Sequence, residues 1–202
     1  MSHNFEKVFI LFKKKCEPVP LEVFKNNSYK TLVSTILSSR TKDEVTYEAS
    51  RNLFKNASNI YKLDQLGQLE IRNLIYPVGF YKTKAKHLKQ LAKLIIADYG
   101  GTVPDTRDEL LKLPGVGRKT ANLVLNRAFA KPAIAVDTHV HKISNILGWV
   151  KTKTPEETEK ALVKILPRKY WSDINRLFVG VGRQFTTKKN LEEFLKKFNL
   201  IS

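Results

Sequence analysis

Apolar positions along most of this chain recur every three or four residues, the period that gathers them on one stripe of a helix. FEKVFILFKK gives the first stripe, with Cys16 near its end. SYKTLVSTILSS follows, with Ser28 as the expected N-cap. TKDEVTYEASRNLF opens on Thr41, and Glu44 three residues on completes a capping-box signature. LDQLGQLEIRNLI continues the pattern. In KTKAKHLKQLAKLIIADYG, Lys84, Leu88, Leu91, Ile95 and their neighbours alternate as on a surface helix, and Gly100-Gly101 stop that helix. TPEETEKALVKIL starts with Thr154 as cap, Pro155 at the first helical position and Glu157 closing a second box. WSDINRLFVGVGRQF and NLEEFLKKF complete the series, the latter gathering Leu191, Phe194, Leu195 and Phe198 near one face. Only PAIAVD, residues 132–137, reads as a strand, and it has no obvious partner. The pattern predicts an all-α fold of roughly ten helices with short loops. KPAIAVDT is an extended crossing and the expected lobe boundary.

Length and charge narrow this picture. The 202 residues suit one large domain or two small lobes with a real core. Lys and Arg outnumber Asp and Glu by 36 to 19, a net charge of +17. A folded chain so basic points to a polyanion partner, nucleic acid above all, against the plainer alternative of a solubility-driven or ribosomal basic surface. The single cysteine, Cys16, allows no internal disulfide and no cysteine-built metal site. No apolar run approaches the length of a membrane span. The short apolar stretch of MSHNFEKVFILFKKK is followed by lysines, not by a small-residue cleavage site. The expectation is a protein working inside the cell, in the cytoplasm or nucleoid.

The densest chemistry lies in TRDELLKL-PGVG-RKTANLVLNRAF, which reads as helix, tight hairpin, helix. Gly115 and Gly117 permit positive φ and let a phosphate approach the backbone. The N–H groups and dipole of the second helix favour an anion there, and Arg118 adds a charged donor. Such a hairpin grips a backbone phosphate without reading sequence. A plain corner with a Pro-Gly turn is the alternative. Lys119 admits two readings, a phosphate contact or a nucleophile. A helix N-terminus and a neighbouring guanidinium both disfavour an ammonium, and a nearby carboxylate could take its proton.

VDTHVHKISNILG supplies such a carboxylate in Asp137, at the junction of the extended segment and the next helix. Asp is also a favoured N-cap, and the two roles are compatible. His139 and His141 are two residues apart and so do not share a helical face, which argues against a metal pair.

LPGVGRKTANLVLNRAF followed by AIAVDTHVHKISN resembles the helix-hairpin-helix and Gly/Pro-Asp signature of the endonuclease III family of DNA glycosylases. STILSSRTKDEVTYEAS and IYPVGFYKTKAKHLKQLAK extend the likeness from about residue 25 to 185. The resemblance implies a base-excision repair enzyme, both glycosylase and AP lyase, acting as a monomer on double-stranded DNA with damaged bases or abasic sites. The family's catalytic lysine falls on Lys119 and its aspartate on Asp137. The hairpin residues Gly115, Val116, Gly117 and Arg118, with His139, fall on DNA-binding positions. Arg40 matches a position where relatives often carry a glutamine that enters the gap left by the flipped base, and Phe80 matches an apolar wedge. A phosphate contact for Arg40 and a core role for Phe80 are the alternatives.

Oxidised pyrimidines of the thymine glycol type are the substrate class implied. G·T or G·U mismatches and 8-oxoguanine are alternatives within the superfamily, and Arg40 leaves a preference for lesions opposite guanine open. A non-catalytic hairpin clamp is the reading from another class, although a clamp does not require Asp137. The family architecture would be a six-helix barrel over residues 21–131 and a terminal helical domain of residues 1–20 plus 132–202, with Lys119 and Asp137 facing each other across a cleft. One departure stands out. Most relatives end in four cysteines holding an iron–sulfur cluster, whereas FVGVGRQFTTKKNLEEFLKKFNLIS has none, so no cofactor is expected. Packing by the last helix and the charges of Lys188, Lys189, Lys196 and Lys197 are the expected replacements.

Overall fold

The structure, a computed structural model, describes residues 4–201; residues 1–3 and 202, the outer ends of the terminal domain expected from the sequence, lie outside that range. The described residues form twelve α-helices and two short 3₁₀ turns, with no strand. Ile134, Ala135 and Val136 of the presumed strand are extended and buried, without a ladder partner.

The chain divides into two compact units, Pro20–Lys131 and Met1–Val19 with Pro132–Ser202. The continuous unit holds α2 (Ser28–Ser38), α3 (Asp43–Asn56), α4 (Ile60–Gln65), α5 (Gln68–Leu74), α6 (Tyr81–Tyr99), α7 (Arg107–Lys112) and α8 (Arg118–Phe129). Helix α2 is buried along almost its whole length and packs on α8 and α3. Helix α6 lays Leu88, Leu91 and Ile95 into the core and ends at Gly100 in the left-handed region. LDQLGQLEIRNLI is two helices, parted at Leu66-Gly67, where the Glu70 carboxylate accepts the Gly67 N–H at 2.6 Å and starts a new turn.

Two cap assignments shift. Ser28 is the first residue of α2, and the cap is Asn27, whose Oδ1 accepts the Lys30 N–H. Helix α3 starts at Asp43 with Lys42 at its cap and no side-chain cap bond. Thr41 does not close a box, because its hydroxyl is taken by partners far away in sequence.

The discontinuous unit is built from α1 (Phe5–Lys15), α9 (Thr138–Ile146), α10 (Pro155–Ile165), α11 (Ile174–Gly182) and α12 (Lys188–Lys197). Phe9 and Phe12 of α1 are fully buried against Phe178 of α11, and Phe9 stacks on Tyr170 at 4.1 Å. Asn4 accepts from the Trp149 indole at 2.9 Å and donates to the Leu200 carbonyl at 2.9 Å, tying sequence-distant segments together. Such contacts are why residues 4–19 belong with residues 132–201 and not with the helices that follow them.

Candidate active site and DNA interface

Helix α7 is capped by Thr106 and ends at Leu113, whose N–H bonds to the Leu110 carbonyl. The Val116 N–H then bonds to the Leu113 carbonyl at 3.1 Å, which closes the hairpin turn. Gly115 has φ +80°, and a Cβ there would lie 3.0 Å from His87 Nδ1 of α6, so this turn needs glycine on two counts. Leu113 and Val116 are buried and anchor the hairpin to its unit, while Gly115 and Gly117 are exposed. Gly117 is the N-cap of α8 and brings no side chain to close its first turn. A Cβ on Gly117 would meet nothing within 4 Å, so the backbone is open to an approaching anion. Arg118 and Lys119 are the first two residues of α8, both half-buried.

Asp137 belongs to the other compact unit. It caps α9, its Oδ1 accepting the Val140 N–H at 2.9 Å. The segment leading to it is held by the buried Asn175, which donates to the Ala135 carbonyl at 3.1 Å. The carboxylate is thus fixed in direction while half-exposed. His139 is the second residue of the same helix, against Gly182 of α11, where a Cβ would sit 2.4 Å from its Nδ1. Gly180 makes the same allowance for Cys16, at 2.3 Å from Sγ. These α11 glycines go unnoticed in the sequence reading. Their signal is the VGVG run inside a helix, where glycine costs stability and has no turn to make.

Arg40 and Phe80 are brought together. The Arg40 guanidinium sits 5.3 Å from the centre of the Phe80 ring, and both side chains are exposed, Phe80 at 60 %. The core role considered for Phe80 is excluded by that exposure. Both residues are left-handed, at φ 53° and 56°, a conformation costing a non-glycine residue roughly 1–2 kcal/mol. Lys84, one turn into α6, is a residue the sequence reading placed only on a helix face. It is 6 % exposed and in phase with Leu88 and Leu91, and its ammonium donates to Leu37 O at 2.7 Å, Ser39 O at 2.6 Å and Thr41 Oγ1 at 3.2 Å. Burial pushes its pKa down to about 8, and the three oxygens around it hold it charged at neutral pH.

With this geometry in place, the comparisons with known proteins are direct. The family described as "HhH-GPD superfamily base excision DNA repair protein" matches residues 33–168. Endonuclease III of Thermotoga maritima is 50% identical over 162 residues, covering 80% of this chain and 76% of that one. Endonuclease III-like protein 1 of Gallus gallus is 46% identical over 159 residues, covering 77% of this chain and 57% of the relative. A non-covalent endonuclease III–DNA complex superposes with a TM-score of 0.81 at 34% identity, over 91% of this chain and 85% of that one. A trapped endonuclease III–DNA covalent intermediate does so with a TM-score of 0.78 at 33% identity, with the same coverage. The chain belongs to the helix-hairpin-helix superfamily of base-excision DNA repair proteins, in its endonuclease III group. It is a DNA glycosylase and AP lyase by class.

The iron–sulfur cluster common in this family does not fit the residues present. Cys16 is the one thiol in the sequence, and its Sγ lies against Gly180 and the Arg176 carbonyl. Among the described residues no group of three or more His, Cys, Asp or Glu side chains could hold a metal ion. After α11, Phe185 packs on Phe194 at 4.9 Å and Phe194 on Phe198 at 5.2 Å. Phe198 follows the end of α12 and is 36% exposed, so Leu191 and Leu195 carry the buried face of that helix.

Proposed function

We propose that the chain removes oxidised pyrimidines of the thymine glycol type and nicks the strand through a Schiff base on Lys119. The observation that carries this reading is the position of Lys119, second residue of α8, directly behind the exposed glycines of the hairpin. In this reading Gly115, Val116, Gly117 and Arg118 grip a backbone phosphate and hold the strand beside the lysine. The neutral Lys119 amine attacks C1′, and the glycosidic bond breaks with its electron pair leaving on the base, which is then protonated. Asp137 is the carboxylate that takes the lysine proton. The nitrogen lone pair then forms the C1′ imine as the C1′–O4′ bond breaks, opening the sugar ring, with the electron pair leaving on O4′, which takes up a proton. Loss of a C2′ proton expels the 3′ phosphate, and water hydrolyses the imine to release Lys119. His139 supports DNA contact beside Asp137, and Arg40 and Phe80 fill the gap left by the flipped nucleotide.

The same reading has the enzyme work without an iron–sulfur cluster, with Phe185, Phe194 and Phe198 packing the segment that the cluster organises in relatives. It acts where the cell keeps its DNA; among the described residues no helix is long and apolar enough to cross a membrane.

Borohydride trapping on duplexes carrying thymine glycol or an abasic site tests the assignment. Wild type should give a covalent adduct on both, Lys119→Gln none, and Asp137→Asn little. An adduct that persists in Lys119→Gln would move the amine elsewhere. Trapping at the abasic site alone would keep the lyase and shift the base preference, with G·T and G·U duplexes next in line because of Arg40. Tight binding with no adduct on either DNA would make the hairpin a clamp.

A further inference from the structure

The residues around Lys84 form a small mechanical unit. Two separate turns meet there, residues 38–41 after α2 and residues 78–80 before α6. The Gly79 N–H donates to Thr41 Oγ1 at 3.1 Å, and a Cβ on Gly79 would stand 2.4 Å from the Arg40 carbonyl oxygen, so the two turns touch backbone to backbone. Each turn carries one left-handed non-glycine residue, Arg40 or Phe80, and these two present their side chains outward in a stack. A strained conformation persists only when its surroundings over-determine it. On the α2 side that determination comes from Lys84, whose ammonium collects Leu37 O, Ser39 O and Thr41 Oγ1 beneath the turn. Its own N–H bonds to the Phe80 carbonyl at 3.0 Å, so the one residue reaches both turns.

We propose that Lys84 is the positioning residue that locks Arg40 and Phe80 into a single preformed insertion element. The inference rests on the reading of Arg40 and Phe80 as the pair that enters the DNA gap. Lys84 itself touches no DNA; it sets the direction in which the pair points and removes the ordering cost at the moment of insertion. Lysine is almost never buried unless it is paired, and here all three ammonium donors are used.

The test measures the affinity ratio between a duplex holding one tetrahydrofuran abasic analogue and the intact duplex, for wild type, Lys84→Met, Phe80→Ala, Arg40→Ala and the double variant Lys84→Met/Phe80→Ala. Taking a ratio removes the general loss of attraction caused by deleting one charge. Borohydride trapping on a single-stranded abasic oligonucleotide, where no stacked duplex must be opened, reads the integrity of the lysine chemistry. Lys84→Met should lower the affinity ratio about tenfold, the size of one lost stacking contact. The double variant should be no worse than Phe80→Ala alone, and single-stranded trapping should stay within about twofold of wild type. If Lys84→Met does not fold, Lys84→Gln, which keeps a donor, is read in the same way. A wild-type ratio in Lys84→Met beside an impaired Phe80→Ala overturns the role of Lys84 alone. Multiplying effects in the double variant, or an equal fall in single-stranded trapping, also overturn it. Wild-type ratios in both Phe80→Ala and Arg40→Ala sink the insertion reading and this proposal with it.

Discussion

Replacing Gly79 by alanine tests the contact between the two turns with a single methyl group. That methyl would lie 2.4 Å from the Arg40 carbonyl oxygen and 3.2 Å from Thr41 Oγ1. Non-bonded heavy atoms settle at roughly 3.5 Å, so the Arg40 carbonyl must retreat by about 1 Å. Arg40 O is backbone, and the Ser39 carbonyl before it and the Thr41 hydroxyl after it are both tied to Lys84, so the turn cannot yield as a flexible side chain would. Overpacking of this kind costs about 1–3 kcal/mol. Stretching the bond from Gly79 N–H to Thr41 adds about 1 kcal/mol. A loss of about 2–4 kcal/mol would move the urea midpoint down by about 1 M. A 1 Å displacement of positioning groups slows chemistry by up to about 100-fold, so single-turnover release of the damaged base should fall steeply. The assays are urea unfolding and base release from a thymine glycol duplex, with single-stranded abasic trapping as the control that stays intact. A variant with both the wild-type midpoint and the wild-type release rate would refute the close approach of the turns and the reasoning built on it.

Two further outcomes follow from named groups. The Lys84 pKa, about 8 in the folded chain, lies below its ordinary value of 10.5, so between those values the unfolded chain binds more protons and folding gains stability as pH rises. Wild type should therefore gain on Lys84→Met between pH 8 and pH 10.5 in parallel urea titrations; a pH-independent difference would contradict the burial of this charge. Natively purified protein should contain no stoichiometric iron and no visible iron–sulfur absorption band, checked by metal analysis and spectroscopy, and bound iron at one cluster per chain would overturn the cluster-free reading.

Local signals were legible where the residues that make them also answer them. Asp137 and Thr154 cap the helices that their sequence context announces, because the N–H they accept is three residues away. Thr41 carries an equally good signature and does not cap, because its hydroxyl is used by Gly79 and Lys84, about forty residues on. Periodicity alone could not foresee that competition. Lys84 reads in the sequence as part of an ordinary surface helix; that it is buried on three oxygen atoms from a distant turn is a tertiary fact. The hairpin was readable from LPGVGRKTA because its glycines serve backbone geometry nearby. Gly180 and Gly182 were not, because what they make room for, Cys16 and His139, comes from other elements.

The discontinuity of one compact unit has a consequence for synthesis. Helix α1 leaves the ribosome before its partner, since Phe178, which covers Phe9 and Phe12, follows more than 160 residues later. At about 5–20 residues per second, that apolar face waits on the order of ten seconds or longer without its partner. Residues 20–131 are contiguous, emerge in the interval and can assemble first. The lysines at positions 13, 14 and 15, which end α1, place charge beside that waiting surface, and charge flanking an apolar segment disfavours its association.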